Sequence, residues 1–456
     1  MKKTLLGVMI TAIIVAVLCV GIMLRFGGVA MSESIHYYKG ANIGDVHPYW
    51  HAESETWYMY YLKSDGTFSS ALLRSKDMLN WEEVELSSNG AIAAYYVLGV
   101  QQATDGKYYS WYGSDISMTA SSSQDLIHWN TPGGEYNIPM GYIKFVSMRD
   151  PYVFFDEDAG VWRMICTAYR SNQLRGKGLG MKCALATAAS EGATPTNWNA
   201  VDTALIDYPK GLEGEPECPQ MMKIGNRWYI FVSLARRHEN HVGRLSYYIG
   251  DEDKGILEQD WNAKEEHFLT GEDSCAAQLV KGPDGIYLWG WIAPNWNGGD
   301  WGGHLSLPLK ISQNADGTLA SKLPNQISNA IRGGLIASGT GAVKGNFTRW
   351  DAQVSFSMDA GQCAEIICAN GKIIIDDAQG LFSIAQNDEL THVSYDLEPG
   401  ILVGEHEVRI IAEENMLEVF MDGQWALSAR MQQDVKCRSI LVENAANVSL
   451  EVYAIK

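Results

Sequence analysis

Three acidic turns share one local grammar: an acid close to a proline, in or beside a run rich in aromatics. They are Asp45 in Asn42-Ile-Gly-Asp-Val-His-Pro-Tyr-Trp50, Asp150 in Met148-Arg-Asp-Pro-Tyr-Val-Phe-Phe155 and Glu217 in Gly214-Glu-Pro-Glu-Cys-Pro219. The last is crowded, with Glu213 and Glu215 beside Glu217, and leads into the aromatic run Arg227-Trp-Tyr-Ile-Phe-Val232. An acid presented from such a turn is well placed to donate a proton. Cleavage of a glycosidic bond needs two carboxyls, one charged as nucleophile or base and one protonated at the leaving oxygen. A third acid can hold sugar hydroxyls and stabilise the cationic transition state. One turn of this kind alone reads as a capped or solvated acid, because Asp-Pro pairs are ordinary turn formers. Three with one grammar point to a site.

Composition narrows the ligand. A formal net charge of −19 over 456 residues argues against nucleic acid, whose phosphates need a basic surface. A neutral ligand such as a carbohydrate fits better. The 15 tryptophans and 22 tyrosines suit both the stacking of sugar faces and the filling of strand cores. Eight cysteines (19, 166, 183, 218, 275, 363, 368 and 437) show no C-x-x-C pair of the zinc kind, so no metal site and no disulfide pairing follow from them. The chemistry requires no cofactor.

The elements that must hold these acids read as short strands. Runs such as Thr56-Trp-Tyr-Met-Tyr-Tyr-Leu62, Tyr108-Tyr-Ser-Trp-Tyr112 and Ile286-Tyr-Leu-Trp-Gly-Trp291 are separated by Gly, Asn, Asp and Pro, with little 3.6-residue periodicity. Leu73-Arg-Ser-Lys-Asp-Met-Leu-Asn-Trp81 and Ala120-Ser-Ser-Ser-Gln-Asp-Leu-Ile-His-Trp129 repeat the pattern Ser-x-Asp-(Met/Leu)-(Leu/Ile)-x-Trp, and a looser copy runs from Ala184 to Trp198. Repetition at this period predicts a β-propeller of five blades over residues 35–335, with a large β-sandwich as the alternative. In a propeller the innermost strands start at a central channel, so acids far apart in sequence converge there. Trp81 and Trp129 belong to the repeat and are expected in the core. Trp50, Trp111, Trp296 and Trp301 are candidate sugar platforms, while Asp115 and Glu215 read as turn acids.

Residues 341–456 change texture to alternating strands joined by Asp/Asn/Gly turns, which predicts a supporting C-terminal β-sandwich. The fold class is therefore all-β, preceded by an N-terminal hydrophobic helix. Lys2 and Lys3 precede an apolar run from Leu5 to Leu24, roughly the 20 residues that span a bilayer. Residues 1–34 read as a signal anchor or signal peptide with a linker. The expected location is the extracellular face of the membrane, or the medium if the chain is cut after Gly28-Val-Ala30.

The ordered set Gly44-Asp45, Arg149-Asp150-Pro151 and Glu217-Cys218-Pro219 resembles the three signature motifs of glycoside hydrolase family 32, which cleaves sucrose and fructans. Asp273-Ser-Cys-Ala-Ala-Gln278 and Trp301-Gly-Gly-His-Leu-Ser-Leu-Pro308 resemble two further segments of that family. The resemblance implies Asp45 as nucleophile, Asp150 as transition-state stabiliser with Arg149, and Glu217 as acid/base with a raised pKa. It implies that Asn42, His47, Trp50, Cys218, Asp273 and Trp301 contact substrate. The first motif departs from the family's Trp-x-Asn-Asp-Pro-Asn-Gly, and Leu62, Cys275 and Lys310 stand where the family has other residues. A family 43-like inverting arabinanase or xylosidase, a fructosyltransferase and a non-hydrolytic sugar-binding surface protein are the competing readings.

Overall fold

The computed structural model describes residues 34–37, 43–63, 69–88, 99–114, 117–130, 147–169, 183–192, 194–196, 198–208, 215–235, 244–293, 302–386 and 389–456. The expected N-terminal helix lies outside them, and among the described residues no helix is long and apolar enough to cross a membrane. The described residues are almost wholly strand. The first part of the chain forms five separate sheets of four or five strands, taken from the chain in order and antiparallel except where Ser87–Ser88 pairs parallel with His128–Asn130 in the second. Their first strands are Ile43–His51, Gly99–Gln102, Ser147–Asp156, Glu215–Ile224 and Ser274–Gly282.

These five strands touch one another in sequence, and the fifth touches the first, so the sheets stand in a ring around a channel. The ring is tied shut by reciprocal backbone bonds, Ile43 N to Gly303 O at 2.9 Å and Gly303 N to Ile43 O at 2.8 Å. Such a propeller explains why the second strands are not amphipathic. Thr56–Lys63 and Gly285–Ile292 pack between neighbouring sheets on both faces, and nearly every side chain in them is buried. Trp57 shows the result, lying 5.1 Å from both Tyr287 and Trp289 of the fifth sheet and joining the two ends of the ring.

The repeated Ser-x-Asp motif has a local cause. Asp77 Oδ1 accepts the amides of Leu79 and Asn80, while the hydroxyl of Ser75 accepts that of Met78. Asp125 and Ser123 do the same for Ile127, His128 and Leu126. Met78 and Leu126 both sit at φ +68°, inside a turn that these side chains satisfy. The bonds hold the Asp125 carboxyl down at about 2. Trp129 is buried against Tyr60 as core, whereas Trp81 is only half-buried, packed on the rim of the core near Trp289.

After a short helix, α1 (Asn325–Ile331), whose Ile327 and Ile331 are buried, two six-stranded sheets pack face to face as a sandwich. Its strand Arg332–Gly339 pairs with the last strand, Ala446–Ile455, so the sandwich takes in residues just before 341. The junction with the ring is apolar and ionic together. Ile411, Phe420 and Ala426 of the sandwich join the ring's largest core cluster. Asp351 is fully buried and accepts from both Arg332 and Arg409. His36 is buried between Glu413 and Glu418, at 3.1 and 3.2 Å.

Candidate active site

The three acids sit at one structural device, a β-bulge repeated in four of the five channel strands. Pairing with the second strand skips between Gly44 and His47, between Arg149 and Tyr152, between Glu217 and Gln220, and between Cys275 and Gln278. Two residues there oppose one, which bends the strand and re-aims its side chains. The first bulged residue is left-handed each time: Asp45 at φ +40°, Asp150 at +52°, Cys218 at +48° and Ala276 at +41°. None is glycine. A left-handed backbone costs an ordinary residue about 1 to 2 kcal/mol, so the ring spends stability to turn these positions into the channel.

The register shows that the acids are not equivalent. Asp45 and Asp150 occupy the bulge itself, whereas Glu217 stands one residue before it, at the position of Arg149 and Gly44. Its longer side chain starts from the preceding pleat. Arg149 Nη2 donates to Glu217 Oε1 at 2.7 Å, and Arg149 Nη1 lies 3.5 Å from Asp150 Oδ2. The Cys218 amide donates to the same Asp150 Oδ2 at 3.2 Å.

Electrostatics follow from this crowding. Asp45 is pushed up to about 8, first by burial and then by the negative charges of Glu217 and Asp150; Arg149 and a hydrogen bond from the Trp291 indole oppose the rise. Asp45 is thus an acid that the structure drives up. Arg149 pairs directly with Glu217 at 2.7 Å. The thiols of Cys218 and Cys275 are held neutral by burial and by the same acids, so they add no charge to the channel.

The other expected contacts separate. Arg149 and Cys218 lie among the acids. His47 follows the first bulge on the channel wall, buried and kept neutral by that burial, which lowers it to about 3. Trp50 is five residues beyond Asp45, roughly 16 Å along an extended strand. There it packs at a tilt against Trp57, 4.7 Å away, and lines a cavity of about 480 Å³ at the end of the channel away from the acids. Asp273 is fully buried, and its Oδ2 accepts the Arg430 amide of the sandwich at 3.2 Å. Trp111 is core, at right angles to Trp198 and 5.4 Å from it, so it offers no sugar platform. Asn42, Asp115, Trp296 and Trp301 lie outside the described residues. Sequence reasoning passed over Thr167, Trp291 and the individual role of Gln278. Only the register could have found Thr167, which pairs with Arg149.

Residues 118–322 match the family model described as the glycosyl hydrolases family 32 N-terminal domain. Over that stretch the chain is similar to the family 32 glycoside hydrolases. The matched stretch holds Asp150, Glu217 and Asp273, while Asp45 precedes it, in the motif that departs most from the family pattern. Solved structures of family 32 share the fold over nearly the whole chain. A Bombyx mori β-fructofuranosidase aligns with a TM-score of 0.70 at 15% identity, covering 92% of this chain and 93% of its own. A sucrose-6-phosphate hydrolase from Lactobacillus gasseri gives 0.69 at 14%, covering 95% and 96%. A Schwanniomyces occidentalis fructofuranosidase complexed with fructose gives 0.68 at 17%, covering 92% and 97%. A search of curated proteins finds no match.

Proposed function

We propose that this chain is a family 32 enzyme that cleaves β-fructofuranosyl linkages of the sucrose, levan or inulin type with retention, on a five-bladed propeller supported by the sandwich. The observation that carries the reading is the repeated bulge, which turns Asp45 and Asp150 into one channel beside Glu217. Asp45 attacks the anomeric carbon. The bond from Asp45 forms as the bond to the leaving oxygen breaks, and Glu217 gives its proton to that oxygen. Water then attacks the fructosyl-enzyme, its proton passes to Glu217, and Asp45 leaves as carboxylate. Asp150 accepts from sugar hydroxyls, and its negative charge stabilises the oxocarbenium-like transition state.

Burial and the neighbouring acids favour a proton on Asp45 at neutral pH, whereas the reacting complex needs Asp45 charged and a proton on Glu217. The carboxyls therefore titrate as a coupled set, and the bound sugar must bias the proton between them. A fructose ring over Asp45, with the leaving oxygen between it and Glu217, offers that bias. The C-terminal sandwich is what a family 43-like arabinanase would lack. Residues 1–34 then hold the body at the outer face of the membrane as an anchor, or release it if cleaved.

The test uses the body from residue 34 onward. Fructose release from sucrose, inulin or levan supports the reading, and Asp45→Ala and Glu217→Ala should each remove it. Cleavage of arabinan or xylan instead, or binding without turnover, would sink it.

A further inference from the structure

We propose that Thr167 and Gln278 are positioning residues for Glu217, fixing its carboxyl through the backbone on either side of it. The proposal rests on the reading of Glu217 as proton donor. The segment Pro216-Glu-Cys-Pro219 is poorly held by its own sheet. Pro216 and Pro219 have no N–H to give to a ladder, and the bulge sets Cys218 and Pro219 together against one residue of the partner strand. Side chains from the neighbouring sheets take over. Thr167 Oγ1, from the third sheet, donates to the Pro216 carbonyl at 2.7 Å. Gln278 Nε2, from the fifth, donates to the Cys218 carbonyl at 2.9 Å.

Both side chains are buried, at 0% and 1% exposure, so these bonds do not compete with bulk water. Their own seats are fixed too. Thr167 pairs in register with Arg149, the residue whose guanidinium meets Glu217. Gln278 is the first paired residue after the fifth-sheet bulge. Next to it, Gln220 Nε2 donates to Leu279 O at 3.0 Å and Leu279 N donates to Gln220 Oε1 at 2.7 Å, locking the fourth and fifth channel strands together. The proton donor is thereby tied on one side to the sheet that carries Arg149 and Asp150, and on the other to the sheet that carries Trp291. A side chain reaching a leaving oxygen from the residue next to a left-handed bulge depends on such ties, because a shift near 1 Å can cost about 100-fold in rate.

A leaving-group comparison separates positioning from general stability. A sugar alkoxide leaves only with a proton, whereas a nitrophenolate leaves without one, so misplacing the donor harms sucrose cleavage and spares cleavage of a nitrophenyl β-fructofuranoside. kcat/KM reports the first bond cleavage for both. Thr167→Val and Gln278→Met, each confirmed folded by its melting curve, should lose about 10- to 100-fold on sucrose and less than about 3-fold on the aryl fructoside. Thr167→Ser, which keeps the hydroxyl, should restore sucrose cleavage. Glu217→Gln is the reference. If it shows the leaving-group dependence while both folded variants lose equally on the two substrates, or lose nothing, the positioning role is wrong. If Glu217→Gln itself loses equally on both, the reading of Glu217 as proton donor fails instead. Should Thr167→Val not fold, Gln278→Met decides alone.

Discussion

Arg149 and Glu217 form an ion pair at 2.7 Å across two sheets, from equivalent register positions one residue before the bulge of their strands. The same guanidinium also lies beside Asp150, so one cation pairs directly with two acids, while at Asp45 burial and repulsion outweigh its more distant pull and the Trp291 hydrogen bond.

Replacing Arg149 tests that division of labour. Arg149→Lys keeps the charge but loses the fork that spans two carboxyls. kcat/KM on sucrose should fall by about 10- to 100-fold, and the pH optimum should move, because the acids would titrate with less cationic support. A pH-rate profile beside the parent enzyme measures both.

Asp45 carries a stability signature. Its folded value of about 8 lies above the ordinary 3.8, so the folded state binds the proton more tightly than the unfolded one. That contribution is fully present below pH 4 and is lost as pH rises through about 8. Asp45→Asn removes the loss. The variant should melt higher than the parent at pH 8, by up to a few kcal/mol, and the gap should close towards pH 4. Activity should be lost at every pH. Thermal melts across that range are the check.

His36 predicts the behaviour of the junction. Two buried carboxylates, Glu413 and Glu418, hold its imidazolium and outweigh desolvation, raising it to about 9, while Glu413 is lowered to about 2. The stabilisation from His36 is complete below about pH 6.5 and disappears as pH climbs through 9. His36→Ala leaves two buried carboxylates facing each other and should cost about 3 to 5 kcal/mol at neutral pH. Chemical denaturation at pH 6, 8 and 10 should show the gap between parent and variant narrowing as pH rises.

Cys218 and Cys275 are buried, and their thiols are held neutral. Neither should react with an alkylating reagent in the folded enzyme at pH 8, and both should react in denaturant. Peptide mapping after timed alkylation reads this directly.

The acids were legible in the sequence because each sits in a turn with a proline and aromatics, and because the order of the motifs is specific. The ring was legible through the Ser-x-Asp repeat, whose turn chemistry the structure explains at Asp77 and Asp125. What stayed hidden depends on register. Nothing local says that Glu217 stands one residue earlier than Asp45 and Asp150 on the bulge, or that Thr167 reaches the Pro216 carbonyl from another sheet. Trp50 looked like a sugar platform from its closeness in sequence to Asp45, but an extended strand carries it to the far end of the channel. Asp273 looked like a sugar ligand, yet its carboxylate faces the Arg430 amide of the sandwich.

The most direct test of the double displacement is the site of the covalent intermediate. Glu217→Ala, given a nitrophenyl β-fructofuranoside and quenched in acid, should form an adduct that the missing base cannot hydrolyse quickly. Mass spectrometry of the digest should place one fructosyl unit on Asp45. Turnover of the aryl fructoside with no adduct, or an adduct on Asp150 or another residue, would contradict the assignment of Asp45 as the nucleophile.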